Sequence, residues 1–306
     1  MKRLFILIPV LAVLTMSCNK AQLTTETPDQ MTLQPYTQVQ SRAIATGTVV
    51  PTDRTMIVSA DVQSSTGGSG NFFTNRTFSY SSSVWVPTIT TYWPVAGTLD
   101  ILAFAYKSSD ISLTPTWTNA TQVVLTNSNF TTDDVLMGAA TDADRSHNTV
   151  AFQHCLSQVK FRANATVSDV ITIKQIDIYA KKGATLTITK SANSSSLNCN
   201  TALSGDPVAN TVFSSTQVLS GTLTSIGSPL LLPVQTPTKV RIKYTLTTGT
   251  GASQTVSPEM WVEKTLSTAI ARGSAYTYDI SFTLRGMELT ASLTEWTGAS
   301  GGTVSI

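Results

Sequence analysis

The sequence predicts an all-β protein, and three observations lead to this conclusion. From about residue 42 onward, segments in which apolar and polar residues alternate follow one another about every 10 residues, with turn residues between them. One segment, Leu99 to Tyr106, is apolar at nearly every position, as in a strand covered on both faces. No amphipathic pattern longer than about two helical turns follows the first 17 residues. Strand spacing of this kind is typical of β-sandwiches.

Residues 1–17 have the layout of a bacterial secretory signal. Lys2 and Arg3 form a positive n-region, a short apolar run ends at Leu14, and Cys18 follows a small residue. The run of about 11 residues is shorter than the roughly 20 that a membrane-spanning helix needs. We therefore predict a lipoprotein in which Cys18 is lipidated and becomes the new N-terminus. The alternative is an ordinary signal peptide followed by a chance cysteine.

The charge balance argues against nucleic acid as a partner. Removal of residues 1–17 takes away two of the 20 basic residues and none of the 18 acidic ones, which leaves 18 of each. A chain without a basic excess lacks the electrostatic footprint that binding to a phosphate backbone requires. Charged residues are only 12% of the chain, about half the usual share. Few charges repel neighbours, which suits a protein that packs against copies of itself.

The chain divides into four predicted regions. After the signal, residues 18–41 are polar and rich in Pro, Thr and Gln, and they predict a flexible tether. A boundary is predicted near residue 150, within about ten residues, at the polar turn around residues 142–148. Residues 42–150 then form an N-terminal β-sandwich rich in Trp and Tyr. Residues 151–306 form a C-terminal β-sandwich with regularly alternating strands.

The clearest strands lie in the C-terminal half. Residues 239–246 and 276–284 alternate between apolar and polar side chains, as half-buried antiparallel strands do. Arg285-Gly286 predicts a tight turn into a partner strand with Leu289, Ala291 and Leu293 facing inward.

One further strand changes its phase. In residues 171–179, Ile171 and Ile173 point one way, whereas Ile176 and Ile178 point the other. A bulge near Lys174-Gln175 would produce this change.

Groups able to perform catalysis are few. The chain has two histidines, and we expect His147 in a polar loop and His154 as a buried structural residue of a strand. His154 and its neighbour Cys155 point to opposite faces of that strand and cannot share a metal. No nucleophile elbow, phosphate loop or dinucleotide motif is present in the sequence. We therefore predict neither an enzyme nor a cofactor.

Two groups of residues leave alternatives open. Asp133-Asp134 could suggest a calcium loop, but the spacing to Asp142 and Asp144 is not that of an EF-hand, which favours solvated loop charges. The tryptophans of the N-terminal half could form a stacking platform for sugar, although core packing is favoured; they are Trp85, Trp93 and Trp117.

The two cysteines beyond Cys18 also admit two interpretations. Cys155 and Cys199 are 44 residues apart (199 minus 155). In an exported protein they could form one disulfide, but a chain of this length does not need one. Cys155 in an apolar strand is first of all a small core residue.

Six stretches, taken in order, resemble the fimbrillin-like family of type V pilus subunits from Bacteroidia. They are F-Q-H-C-L-S-Q-V-K-F at 152–161; Trp85, Y-W-P at 92–94 and L-A-F-A-Y at 102–106; D-V-L-M-G at 134–138; L-L-P-V-Q at 231–235; Y-T-Y-D-I at 276–280; and E-W-T-G at 295–298. Each motif is weak by itself, whereas the order and spacing agree over nearly the whole chain.

This resemblance implies two tandem sandwiches of transthyretin-like topology and assembly by strand exchange. In the family, a lipidated precursor reaches the outer membrane, and a protease then cuts after an arginine and frees a first strand. The groove that this strand leaves accepts a strand from the next subunit. Arg42 and Arg54 are the candidate cut sites, and Arg42 is preferred because it lies at the end of the tether.

The C-terminal tail has the β character of a donor strand, although it could instead close the second sandwich. It consists of Thr303, Val304, Ser305 and Ile306. The leading hypothesis is thus a fimbrial subunit at the cell surface, with other pilus subunits as partners and the outer membrane bound through the lipid on Cys18. The alternative is a monomeric surface lipoprotein that binds a glycan or host ligand through its Trp-rich half.

Overall fold

The computed structural model describes residues 29–37, 48–63, 69–283 and 286–295. In these ranges the chain forms 21 β-strands and one short 3₁₀-helix, Gly251–Ser253. The all-β prediction is therefore confirmed. Among the residues so described, no helix is long and apolar enough to cross a membrane.

The strands form four sheets. Sheet I has eight strands in the spatial order β2-β1-β10-β9-β6-β3-β4-β5, and sheet II has four in the order β14-β13-β8-β7. The strands of sheet I are β1 (Gln34–Thr37), β2 (Thr48–Val49), β3 (Thr55–Gln63), β4 (Ser69–Ser81), β5 (Val84–Pro87), β6 (Thr98–Tyr106), β9 (Leu136–Ala143) and β10 (Thr149–His154). Those of sheet II are β7 (Thr114–Asn119), β8 (Gln122–Asn127), β13 (Gly183–Lys190) and β14 (Leu197–Ser204).

Two further sheets come from the later part of the chain. Sheet III has the order β16-β11-β20-β21, and sheet IV has the order β15-β12-β17-β18, with β19 also paired to β17. The strands of sheet III are β11 (Ser157–Ala165), β16 (Thr224–Leu232), β20 (Ser274–Thr283) and β21 (Gly286–Glu295). Those of sheet IV are β12 (Val170–Ala180), β15 (Val208–Val218), β17 (Lys239–Thr248), β18 (Thr255–Val256) and β19 (Met260–Thr265).

Sheet I is apolar on both faces. In β6, Leu99 and Ile101 belong to one buried cluster, whereas Leu102 and Phe104 belong to a second one that sheet II covers. The side chains of this strand alternate between the two clusters because successive residues of a strand point to opposite faces. The prediction from the apolar run, a central strand covered on both sides, is confirmed.

Sheets III and IV enclose a third cluster. Alternate residues of β11, β12, β17 and β20 meet there, among them Phe161, Ile176, Ile242 and Tyr278. The predicted bulge is confirmed, because the pairing of β12 with β17 shifts register between Ile173 and Gln175.

The hairpin predicted after residue 283 is present, with Thr283 opposite Gly286. Residues 284–285 of its turn lie outside the described ranges. Leu289 and Leu293 pack against the third cluster as expected. Ala291 was expected to face inward and is exposed.

The pairing of β13 with β8 joins distant parts of the sequence. Residues 184–189 lie opposite residues 122–127, so the β13–β14 hairpin completes sheet II. The remaining strands after residue 150, apart from the end of β10, lie in sheets III and IV. The boundary near residue 150 remains a proposal, and the hairpin is a segment of the later chain that returns to the earlier one.

Candidate functional site

The first described residues, 29–37, fill a seam in sheet I, so this part of the predicted flexible tether is instead a paired strand segment. We call this stretch the N-terminal segment. Its β1 part runs parallel to β10, with Gln34 opposite Thr149 and Thr37 opposite Phe152. The residues just before β1 form antiparallel bridges with the chain at the opposite edge of the sheet, Leu33 with Trp85 and Gln30 with Tyr92. The segment therefore joins the β5 edge to the β10 edge and closes the sheet on itself.

Backbone hydrogen bonds hold the segment on both sides. On the β5 side, the Leu33 N–H donates to the Trp85 carbonyl at 2.9 Å, and the Trp85 N–H donates to the Leu33 carbonyl at 3.1 Å. The Met31 N–H donates to the Thr91 carbonyl at 2.8 Å. On the other side, the Gln34 N–H donates to the Asn148 carbonyl at 3.0 Å.

The side chains of the segment alternate as in a half-buried strand. Met31 and Leu33 are fully buried in the first cluster, against strands that also contribute Trp85, Trp93 and Phe152. Burial of side chains of this size is worth about 1.5–3 kcal/mol each, and each ladder hydrogen bond adds about 1 kcal/mol. Without the segment, sheet I would expose an apolar groove between two unpaired strand edges, which is a template for another strand.

Three large apolar side chains lie exposed beside this seam. Ile89 is 65% exposed, Val95 is 96% exposed and Tyr92 is 46% exposed. They belong to the connection between β5 and β6, which pairs with the N-terminal segment through Tyr92. Nothing in the sequence pattern distinguishes these residues from core residues, because exposure of a loop residue is decided by what packs over it.

Arg54, one of the two candidate cut sites, is held in an ion pair. Its side chain is 12% exposed, and its Nη2 donates to Asp133 Oδ1 at 3.2 Å. Its Nη1 donates to the Asp134 carbonyl at 2.6 Å. Burial raises the pKa of the Asp133 carboxyl, and the Lys107 N–H and the Arg54 guanidinium act against that shift. An arginine-specific protease would have to pull this side chain away from its partners.

Asp134, the neighbour of Asp133, binds a histidine. Both aspartates are buried, so the expectation of solvated loop charges was wrong. Asp134 Oδ2 lies 2.5 Å from His154 Nδ1, and both side chains are almost buried. His154 is thus hydrogen-bonded as predicted, and its side chain is 11% exposed. His147 lies exposed in a loop beside Asp144, also as predicted. In the described ranges, no three His, Cys, Asp or Glu side chains stand where they could hold a metal ion.

The tryptophans of the N-terminal half do not form a platform. Trp85 is 1% exposed and Trp93 is 5% exposed, so the core interpretation is confirmed for both. Trp117 is partly exposed, and its Nε1 donates to Asn75 Oδ1 at 3.2 Å. Among the tryptophans of the described ranges, Trp261 in β19 is exposed, and the Arg241 guanidinium lies 4.1 Å from its ring centroid. Trp261 was not singled out from the sequence, since a single aromatic in a strand gives no signal of exposure.

Several predicted functional residues lie outside the described ranges. Among them are Cys18 and the signal before it, and also Arg42, which falls in the stretch 38–47 between β1 and β2. The proposed donor residues Thr303, Val304, Ser305 and Ile306 lie beyond residue 295. Their roles remain predictions.

The described chain is an all-β protein with several sheets. Its N-terminal segment closes the seam in sheet I. A model of the fimbrillin-like family matches residues 41–296, and the chain belongs to this family. The family consists of structural fimbrial subunits and is not a family of enzymes. No curated protein matches the chain.

A solved structure shares the fold at low sequence identity. A fimbrial protein from Bacteroides vulgatus is 16% identical, with a TM-score of 0.57, and the match covers 88% of this chain and 100% of that one. The tip fimbrial protein Mfa3 from Porphyromonas gingivalis, with a C-terminal truncation, is 11% identical, with a TM-score of 0.35. That match covers 79% of this chain and 94% of the other.

Proposed function

We propose that this protein is a subunit of type V fimbriae that assembles by strand exchange at the cell surface. The observation that carries the proposal is the N-terminal segment, which closes a seam that another strand could fill. In the proposed cycle, Cys18 is lipidated and anchors the precursor to the outer membrane. Proteolysis after an arginine then releases the segment, and the groove accepts the C-terminal tail of another subunit. Membership in the fimbrillin-like family supports this role.

The geometry favours Arg42 over Arg54 as the cut site. A cut after Arg42 separates the N-terminal segment from β2 and leaves β3 to β10 intact, because position 42 lies between β1 and β2. Arg54 is engaged by Asp133 and Asp134, and a protease needs an accessible, extended backbone at its cut site.

After the N-terminal segment has left, the groove would bind the donor strand through backbone pairing and burial of apolar side chains, as it bound the segment. The donor tail, proposed to be Thr303 to Ile306 with preceding residues, would pair with the edges of β5 and β10 and place apolar side chains where Met31 and Leu33 lay. A strand of about ten residues buries about five inward side chains at about 1.5–3 kcal/mol each. Such a joint gains its specificity from the pockets and its affinity from main-chain hydrogen bonds.

Limited proteolysis tests the proposal. The chain from residue 22 onward is treated with an arginine-specific protease, and the products are separated on a gel without boiling. We expect a cut after Arg42 followed by a ladder of detergent-resistant oligomers. The variant Arg42→Lys should abolish both the cut and the ladder, since the charge is kept and only the recognition by the protease is lost. The matched variant Arg54→Lys should leave both unchanged.

The other outcomes discriminate among the alternatives. A chain that is cut but stays monomeric would contradict self-polymerisation and would favour a monomeric binder of a glycan or host ligand. A ladder that forms with Arg42→Lys but not with Arg54→Lys would move the cut site to Arg54. Oligomers that form without any cut would overturn the proposed release of the N-terminal segment.

A further inference from the structure

Two cysteines that are distant in the sequence lie in the second buried cluster. Cys155 lies in the connection between β10 and β11 and is fully buried, and its N–H donates to the Val135 carbonyl at 2.8 Å. Cys199 lies in the middle of β14, the edge strand of sheet II, and packs partly exposed against the same cluster. Both are free thiols, both side chains pack in this one cluster, and each thiol shifts the pKa of the other. The topology thus pairs two residues that are 44 positions apart in the sequence.

The pair lies where the chain passes from β10 of sheet I to β11 of sheet III. The loop before β20 contacts both sides of it: Arg272 Nη2 donates to the Leu197 carbonyl at 3.4 Å, and the Gly273 N–H donates to the Leu156 carbonyl at 2.8 Å. A covalent bond between the two sulfurs would tie the edge strand β14 to the β10–β11 connection at this junction.

The two thiols differ in reactivity. Interaction with the Cys155 thiol and with the nearby Arg272 guanidinium lowers the pKa of the Cys199 thiol, although burial acts against this shift. Burial raises the pKa of the Cys155 thiol. Because the thiolate is the nucleophile in disulfide exchange, the accessible Cys199 is suited to attack first and the buried Cys155 to attack second.

We propose that Cys155 and Cys199 form an intramolecular disulfide when the folded protein meets a small disulfide oxidant. With oxidised glutathione, the Cys199 thiolate attacks one sulfur, and one glutathione leaves as the thiol. Cys155 then loses its proton and attacks the Cys199 sulfur of the mixed disulfide, which expels the second glutathione as the thiol. The protein loses two electrons and two protons, and one oxidised glutathione becomes two reduced molecules.

The disulfide is expected to stabilise the folded chain. It closes a loop of about 44 residues in the unfolded state and so reduces the entropy gained on unfolding. It also holds β14, whose other edge pairs with no strand of the described ranges. Neither effect depends on whether the protein polymerises.

Peptide mapping of the full chain tests the proposal. The protein is reduced, the reductant is removed, and the folded chain is incubated with oxidised glutathione before free thiols are alkylated. Trypsin then releases residues 146–160, which contain Cys155, and residues 191–239, which contain Cys199. We expect these two peptides joined, at a mass two hydrogen atoms below their sum, and, in protein produced without the lipid, Cys18 alkylated or singly glutathionylated. Reoxidation in denaturant is the control and should also give products in which Cys18 is paired.

Three results would overturn the proposal. In the first, both cysteines are alkylated after oxidation of the folded chain. In the second, Cys199 carries glutathione while Cys155 stays free. In the third, either cysteine is found joined to another molecule or to Cys18.

A stability measurement gives a second readout. The midpoint of thermal unfolding should be higher in the oxidised than in the reduced wild-type protein, by roughly 5 °C or more. The variant Cys199→Ser should show no difference between oxidising and reducing conditions. A midpoint that is the same for the oxidised and reduced wild-type protein would contradict the stabilising role even if the bond forms.

Discussion

Gly138 shows how one missing side chain sets the distance between two strands. Gly138 ends the D-V-L-M-G motif and lies within β9, directly opposite Phe152 of β10. A Cβ atom at this position would stand 2.8 Å from the Phe152 ring, which is fully buried. A glycine in a strand interior often marks such a close approach.

We therefore expect Gly138→Ala to destabilise the protein by about 1–3 kcal/mol, the usual cost of overpacking. Denaturant unfolding measures the loss. The double variant Gly138→Ala with Phe152→Leu should recover part of it, because the smaller side chain vacates the space. Gly70→Ala is the control: it lies in strand β4 with no atom near its added Cβ, and it should change stability little. An equal loss in both alanine variants would rule out the steric explanation.

Tyr278 is a buried phenol without a polar partner. Its ring stacks on Phe161 with the centroids 5.5 Å apart, and its hydroxyl has no hydrogen-bond partner among the residues of the described ranges. Burial, with a smaller contribution from Tyr276, raises the pKa of Tyr278 to about 12. The neutral form is thus the form that the fold tolerates.

This shift predicts a loss of stability at alkaline pH. In the unfolded chain the phenol ionises at its ordinary pKa of about 10, so above that pH the unfolded state binds fewer protons than the folded state. The free energy of unfolding should therefore fall between about pH 10 and pH 12, by about 1–2 kcal/mol from this group. Tyr278→Phe should be as stable as wild type at neutral pH and should lose less stability over that interval, as measured by urea unfolding at each pH. Parallel pH profiles for the two proteins would contradict the assignment.

At the scale of a secondary-structure element, the N-terminal segment packs firmly between two stretches of the chain that are far apart in the sequence. It is antiparallel to the chain on one side and parallel to β10 on the other. Its position in the seam could not be derived from the sequence, because the stretch around Met31 and Leu33 is too short and too polar to give a strand pattern. Long-range pairing of this kind is decided by the edges that the rest of the fold leaves open.

Leu33 should anchor the segment. We expect Leu33→Ala to open the seam locally, since it removes a fully buried side chain from the first cluster. The amide of Trp85, which donates to the Leu33 carbonyl, should then exchange its hydrogen about 10-fold faster or more. Gln34→Ala is the matched control, because the Gln34 side chain is exposed and its loss should leave exchange at Trp85 unchanged. Unchanged exchange in Leu33→Ala would mean that the segment is held by other contacts.

At the scale of the whole molecule, the β13–β14 hairpin links the two halves of the chain. It contributes Ala184, Leu186 and Ile188 to the cluster between sheets I and II. Lys190 at the end of β13 forms a buried ion pair with Asp100 of β6, at 3.1 Å. The earlier strands alone would leave this cluster open to water on the side of β8.

This topology predicts that a chain ending near residue 155 does not fold cooperatively by itself. Residues 29–155 should show no sharp unfolding transition, because about half of sheet II is missing. The same chain with residues 183–204 attached through a flexible linker should recover a cooperative transition, measured by circular dichroism on heating. A hairpin with Leu186→Asp should not rescue it, and a sharp transition for residues 29–155 alone would contradict the expected dependence on the hairpin.

Periodicity by itself determined much of this fold. Alternation gave the half-buried strands, the continuous apolar run gave the central strand β6, and the phase change gave the bulge beside Ile173. These features follow from local rules, since a strand's side chains point to opposite faces whatever its neighbours are. The hydrogen-bonded structural role of His154 and the family resemblance likewise came from the sequence.

Only the tertiary structure decided which strands pair and which side chains meet. It placed the N-terminal segment in the seam and returned the β13–β14 hairpin to sheet II. It also bound Arg54 to Asp133 and brought Cys155 to Cys199. The physical reason is that pairing between distant segments depends on the edges and cavities left by all the other elements, and a local pattern of residues holds no information about them.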